Sequence, residues 1–437
     1  MKRWNPGVWM AAAALVMVVC GPALAQPTTL QWWHSMKGAN ADALNEIVAG
    51  FNASQNEYVV EATYKGNYDE AVNAAVAAFR AKRQPHMLQC FEVGTLTMML
   101  SGAIYPVHQL MADNGYQIDW NKYLQPVLGY YVSEEGQLLS MPFNSSTPVM
   151  YYNKDLLAKA GLRGPPKTWD EVGEYTAKIV AAGVEAGLVV GWQSWTMIEN
   201  YGAIHDLPFA TKANGYEGLD CELAFNNPQV VNHVARLQSW TGDGRFAYSG
   251  QKFQGPQAAF TGQHAALYID SVSRIGALKK TCQFAWDAAP MPVEAAMTEP
   301  LNSIIGGASL WVMKGHPAKD NKGVAAFMAF LAKTENQESW HKKTGYFPIT
   351  VEAYENLKKA GHFEQNPLEE VGIKQLMRGT TSKNSRGIRV GYFIQIRDII
   401  NEELEHVWAG KKTAQKAIDD MVKRGNEQLR SFEKTNR

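Results

Sequence analysis

Apolar and polar positions repeat with two different periods along the first part of the chain. Thr28 to Trp33 reads as a short apolar strand. Leu44, Ile47, Val48 and Phe51 then recur at helical spacing. Tyr58 to Tyr64 reads as a second strand, Tyr68 to Arg80 as an Ala-rich helix, and Met87 to Phe91 as a third strand. This β-α-β-α-β order predicts a parallel sheet with helices on both faces. Ligands of such sheets sit at the carboxyl ends of the strands, which singles out His34-Ser35, Lys65-Gly66-Asn67-Tyr68 and Glu92-Val93-Gly94.

Downstream, a polar stretch bracketed by Pro142 and Pro148 precedes a strand from Val149 to Asn153, and reads as a crossing between two lobes. Thr168 and Glu171 have the spacing of a capping box and open a helix. Ile304 to Met313 predicts a buried strand, 318–333 an amphipathic helix, and two helices end the chain, Ile394 to Trp408 and Thr413 to about Phe432. The expected architecture is a two-lobe α/β protein, each lobe a mostly parallel sheet with flanking helices, hinged around a cleft. Its lobes are 26–143 with about 285–343, and about 144–284 with 344–437.

The start of the chain does not belong to that fold. Lys2 and Arg3 precede an apolar run from Val8 to about Cys20, and Pro22-Ala23-Leu24-Ala25 follows, as in a secretory signal cleaved after Ala25. That predicts export to the periplasm. The remaining cysteines, Cys90, Cys221 and Cys282, are odd in number and widely spaced, so they outline neither a disulfide framework nor a metal cluster. One pair with a free thiol and three free thiols are both compatible with the spacing.

At 437 residues the chain suits two or three domains, and 46% apolar with 19% charged residues excludes a disordered protein. Lys+Arg and Asp+Glu are each 42, which leaves no basic field for nucleic acid. Losing Lys2 and Arg3 with the leader leaves a net charge of −2. An anionic ligand must then be held by local donors. No H-E-x-x-H, C-x-x-C, G-x-S-x-G, Walker A or G-x-G-x-x-G pattern occurs. The reading is therefore binding without catalysis, metal or cofactor.

Several strings carry a resemblance. Tyr64-Lys65-Gly66-Asn67-Tyr68, Pro142-Phe143-Asn144-Ser145-Ser146-Thr147-Pro148, Gly191-Trp192-Gln193-Ser194-Trp195, Gly306-Gly307-Ala308-Ser309-Leu310 and Lys343-Thr344-Gly345-Tyr346 occur in this order. Together they resemble the periplasmic glycerol-3-phosphate-binding members of the extracellular solute-binding family, which serve Ugp-type ABC importers, and the resemblance spans the whole mature chain. It implies a monomer that captures glycerol-3-phosphate or a glycerophosphodiester such as glycerophosphocholine. The load would pass to a permease heterodimer driven by a cytoplasmic ATPase.

The resemblance also implies site residues. Glu92 accepts from glycerol hydroxyls and Tyr68 donates its hydroxyl. Ser146 and Ser271 offer hydroxyls, although Asp270 stands beside Ser271 where the family has a small polar residue. Trp192 and Trp195 form an aromatic wall, and a Trp face also attracts a choline ammonium. Gly307 brings backbone N–H close to the ligand and Tyr346 enters from a late loop. Arg397 is the expected phosphate fork, with Arg389 as its competitor. Two other readings stay open: the same fold tuned to a sugar or oligosaccharide, and an exported glycerophosphodiester hydrolase.

Overall fold

The computed structural model describes residues 26–437 together with Met1, so the expected leader and its cleavage site lie outside the described residues. Among the described residues, ten strands are arranged in two sheets. The first sheet holds β1 (Thr28–His34), β2 (Tyr58–Tyr64), β3 (Met87–Phe91), β4 (Ile104–Tyr105) and β5 (Met141–Ser146). The second holds β6 (Pro148–Asn153), β7 (Ala186–Val190), β8 (Ala265–Ser271) and β9 (Trp286–Ala289), and β10 (Gly306–Met313) returns to the first.

The order of the first sheet is β2-β1-β3-β10-β4, with β5 also paired to β10. β1 runs parallel to β2 and β3, as the opening pattern predicts. β10 runs antiparallel to β3, β4 and β5, so the sheet is mixed rather than mostly parallel. The reason is connectivity. β10 enters from the second sheet without a crossover helix, and only such a crossover enforces parallel pairing. The second sheet, β7-β8-β6-β9, is mixed as well: β7 and β8 are parallel, and β6 is antiparallel to β8 and β9.

Local chemistry explains where the site-bearing helices begin. Asn67 caps the helix Tyr68–Arg80 and Glu70 reaches back to the Asn67 backbone, a reciprocal capping box. Thr168 and Glu171 form the second box, at the helix Trp169–Ala181. Each cap satisfies backbone donors that a helix end would otherwise leave open, which stabilises it by about 1 kcal/mol. The chain leaves the first sheet at Ser146 and enters the second at Pro148, with only Thr147 between. The buried Thr147 hydroxyl donates to Ser303 Oγ (2.5 Å), on the segment that carries the chain back toward β10. Polar residues at 142–148 thus stitch two adjacent passages of the backbone.

Aromatic packing fills both cores. Trp32, fully buried on β1, meets Phe143 edge-on (5.3 Å) and packs against Phe327 (5.6 Å). Trp169 meets His233 edge-on at 4.5 Å. Most of the tryptophan excess is core. Cys90, Cys221 and Cys282 are free thiols, and burial raises the pKa of each. Among the described residues no helix is long and apolar enough to cross a membrane.

Candidate ligand-binding site

A cavity of about 270 Å³ opens where the carboxyl ends of β1, β3, β5, β7 and β8 meet the start of β10. All nine residues expected from the sequence line it: Tyr68, Glu92, Ser146, Trp192, Trp195, Ser271, Gly307, Tyr346 and Arg397. Arg389 does not. Its Nη2 donates to the carbonyls of Tyr130 (3.1 Å) and Val132 (2.8 Å), and its guanidinium lies 4.2 Å from the centre of the Tyr216 ring. That is a structural role.

One side of the cavity is built around Arg397, on the helix Phe393–Trp408. Its Nε and Nη2 donate to the two oxygens of Glu199 at 2.7 and 2.6 Å, and Nη2 also reaches Glu92 Oε1 at 2.7 Å. Side-chain exposure is 11% for Arg397, 4% for Glu92 and 0% for Glu199, so water screens little of this cluster. Burial pushes the Glu92 pKa up, Arg397 pulls it down, and the neighbouring Glu199 adds to the rise. For Arg397 burial opposes charge, but Glu199 and Glu92 outweigh it and hold its pKa above the ordinary value. The fork expected to grip phosphate is filled by a carboxylate. With both acids ionised the cluster carries −1, and a phosphate dianion beside it would be repelled.

Arg274 supplies a cation elsewhere in the cavity. Its Nη2 donates to Ser273 Oγ (2.9 Å), while its buried Nε has no hydrogen-bond partner. The guanidinium lies 4.1 Å from the centre of the Phe253 ring, and Phe253 in turn stacks with Trp192 at 6.1 Å. Ser271 caps the short turn Val272–Arg274: its Oγ accepts from Ser273 N–H (3.1 Å) and donates to Ser273 Oγ (2.9 Å). Asp270 points away from the cavity. It accepts from Tyr268 hydroxyl (2.6 Å) and Ser271 N–H (2.5 Å), and lies 4.0 Å from Arg274 Nε. Burial pushes its pKa up to about 6 against the pull of Arg274.

Aromatic hydroxyls and glycines complete the walls. Tyr68 stacks on Phe91 (5.1 Å), and its hydroxyl accepts from Asn144 Nδ2 (3.0 Å). Tyr346 stacks on Trp340 (5.8 Å) and lines the cavity. Gly307 has φ +102°, and a Cβ there would lie 1.9 Å from the Asn144 carbonyl oxygen, so only glycine fits. A Cβ on Gly306 would lie 2.5 Å from the Trp195 ring. Trp195, almost fully buried, donates from Nε1 to the Ile305 carbonyl at 3.4 Å. Trp192 is half-buried and holds φ +51°, a conformation bulky residues rarely adopt and one that tends to mark functional sites. Lys252 pairs with Asp69 (3.0 Å) at the rim.

A family description for bacterial extracellular solute-binding proteins matches residues 46–367. The sn-glycerol-3-phosphate-binding periplasmic protein UgpB of Escherichia coli (strain K12) is 44% identical over 429 residues, covering 97% of this chain and 98% of that one. The chain belongs to the bacterial extracellular solute-binding proteins. UgpB of Salmonella typhimurium (strain LT2) matches this solute-binding protein equally, at 44% over 428 residues and 97% of each chain. Among solved structures, UgpB from Mycobacterium tuberculosis in complex with glycerophosphocholine aligns with TM-score 0.79 at 22% identity, over 92% of this chain and 98% of that one. The GacH receptor of Streptomyces glaucescens, solved with acarbose, aligns at 0.78 and 17%, over 93% and 99%. Those two likenesses speak for the fold.

Arg274 and Ser273, which line the cavity of this solute-binding protein, and Glu199, which holds Arg397 there, escaped the sequence reading. Arg274 stands three positions after Ser271 at the end of a strand, so the carboxyl-end rule applied one turn further would have reached it. Glu199 follows the apolar pair Met197-Ile198, and an ion beside such residues needs a partner if it is buried. It sits on a π-helical turn, Trp195–Asn200, a widening that recurs at functional sites.

Proposed function

We propose that this protein is the substrate-binding component of an ABC importer, capturing glycerol-3-phosphate or a glycerophosphodiester in the cavity between its sheets. The observation that carries the reading is the division of labour inside the cavity. A guanidinium with a donor to spare sits among serine hydroxyls, apart from a carboxylate–arginine–carboxylate cluster. Phosphate oxygens suit Arg274 with Ser271, Ser273 and Ser146, because charge-assisted N–H···O⁻ bonds are the strong ones. Glycerol hydroxyls suit Glu92, which accepts from them, with Arg397 and Tyr68 donating. Gly307 and Tyr346 close the wall between, and Trp195 supports the backbone of the β10 turn. Trp192 offers an aromatic face to a choline headgroup. The phosphate role thus moves from Arg397 to Arg274.

Two lobes hinged at the sheet crossings, 26–143 with about 285–343 and about 144–284 with 344–437, would let ligand hold a closed form by touching both. The ion pairs Glu92–Arg397 and Asp69–Lys252 support such a closure, since each joins a residue near the first sheet to one beyond it. The 44% identity to periplasmic UgpB proteins supports periplasmic residence. A monomer that delivers its ligand to a permease heterodimer with a cytoplasmic ATPase belongs to the same proposal. The protein binds its ligand without turning it over.

Isothermal titration calorimetry on the mature chain tests this with glycerol-3-phosphate, glycerophosphocholine and a neutral maltooligosaccharide. Heat from a phosphate ester alone supports the reading. Heat from the sugar alone would replace it, because a neutral sugar leaves Arg274 without an anion. Release of choline from glycerophosphocholine would instead identify a hydrolase.

A further inference from the structure

Among the described residues, two groups of histidines and carboxylates lie outside the cavity, and their hydrogen bonding separates them. His86, His316 and Asp320 form a complete set without an ion. His86 Nδ1 accepts from Gln31 N–H (2.9 Å), so its proton is on Nε2, where it meets Asp320 at 3.1 Å. His86 therefore offers no neutral nitrogen lone pair to a metal, which leaves at most His316 and Asp320 as ligands.

The second group, His341, His362 and Glu369, is different. His341 is fully buried near the end of the helix Thr334–Thr344. Its Nδ1 lies 2.8 Å from the Tyr346 carbonyl oxygen, which only accepts, so Nδ1 carries the proton. Nε2 is therefore a bare lone pair, and it has no hydrogen-bond partner. It faces Glu369 Oε2 at 3.5 Å, one acceptor opposite another. His362 Nε2 lies 2.7 Å from the same Oε2, and the three ligand atoms fall within 4.8 Å of one another.

We propose that His341 Nε2, His362 Nε2 and Glu369 Oε2 form a three-ligand site for a late first-row divalent cation, Zn²⁺ above all. Tetrahedral Zn²⁺ with ligands at about 2.0–2.2 Å sets neighbouring ligands about 3.3 Å apart. The 3.5 Å pair already fits, and the 2.7 Å pair opens when the metal replaces the proton shared there. Two neutral imidazoles and one carboxylate are a donor set zinc accepts, with water as the fourth ligand. The bond from His341 to a backbone carbonyl is the outer support that orients metal-binding histidines. Access runs past His362, which is 16% exposed. Lys279 bonds the other oxygen of Glu369 and opposes the cation, but it is 39% exposed and free to swing into solvent. A metal here clamps the helix Thr334–Thr344 to the helix Pro367–Leu376. Through His341 it also fixes the backbone of Tyr346.

The test uses mature protein stripped with chelator and titrated with Co²⁺, then Zn²⁺. The expected result is one equivalent bound, with the intense visible absorption of tetrahedral Co²⁺ displaced by Zn²⁺. His362→Ala, with its folding checked by a denaturant transition, should weaken binding by about a hundredfold. Lys279→Gln should tighten it, and His86→Ala should leave it unchanged. Absence of a tetrahedral spectrum, or His362→Ala binding as tightly as the parent, overturns the proposal. Neither outcome depends on whether the cavity takes a phosphate ester.

Discussion

Replacing Arg274 by Ala is the sharpest test of the division of roles in the cavity. The side chain lines the cavity, has an unpartnered Nε, and donates from Nη2 only to a neutral hydroxyl. Its charge is therefore not committed to a bidentate carboxylate, as that of Arg397 is. A hydrogen bond to a charged group contributes about 1.5–3 kcal/mol. One or two such bonds to phosphate give a loss near 3 kcal/mol, or roughly a 150-fold rise in Kd. Calorimetry with glycerol-3-phosphate at neutral pH measures it directly. Arg274→Lys should recover part of the loss, because the charge remains while the fork is gone. A denaturant transition on each variant guards against misfolding. If folded Arg274→Ala binds within threefold of the parent, the phosphate is held elsewhere and the assignment fails.

Arg397→Ala should act mainly on stability, lowering the unfolding free energy by about 3–5 kcal/mol because Glu92 and Glu199 would face each other without a cation; urea unfolding checks it, and a loss below 1 kcal/mol counts against the cluster. Trp192→Ala should weaken glycerophosphocholine more than glycerol-3-phosphate, by a factor matching about 0.5–2 kcal/mol of cation–π attraction, read from the ratio of the two dissociation constants. Gly307→Ala should cost about 1–3 kcal/mol in backbone strain alone, with more from displacing Asn144, measured as a lowered denaturant midpoint. Asp270 gives a pH dependence. Its folded pKa is raised to about 6, so its contribution to stability is fully present below the unfolded value near 4 and lost as pH rises through 6. Relative to Asp270→Asn, the parent should lose on the order of 3 kcal/mol between pH 4 and pH 7; a constant difference across that range refutes the buried-carboxylate account.

How much of this was legible in the sequence depends on whether local or distant residues decide each feature. Tyr58–Tyr64, Tyr68–Arg80 and Met87–Phe91 lie where the apolar periods put them, because strand alternation and helix caps are settled within a few residues. The direction of β10 was not legible. It depends on a strand arriving from another sheet, and no local pattern records that. The strand ends marked the right segments, since Ser35, Asn67, Tyr68 and Glu92 all reach the cavity. His34, beside them, faces the core instead, where burial pulls its pKa down to about 4. One residue along a strand exchanges core for cavity. The role of Arg397 was hidden for a related reason: its partner Glu199 is 198 positions away and is brought to it by tertiary folding alone.

The charge balance now has a local meaning. A chain with equal numbers of acids and bases draws no anion from a distance. Within the cavity, however, the two guanidiniums are not equivalent. Arg397 is held by two carboxylates and makes a site that favours hydroxyls over anions. Arg274 faces a single carboxylate at 4.0 Å, and that carboxylate is itself engaged by Tyr268 and the Ser271 N–H. Swapping these surroundings would swap the preferences, whichever arginine is named. Anion affinity is thus set by how many acids already hold each arginine. Adding one acid beside Arg274, as in Ser273→Asp, should abolish phosphate-ester binding while leaving both arginines in place; retained affinity in that variant would show that the backbone N–H groups near Gly307, not the guanidinium, carry the anion.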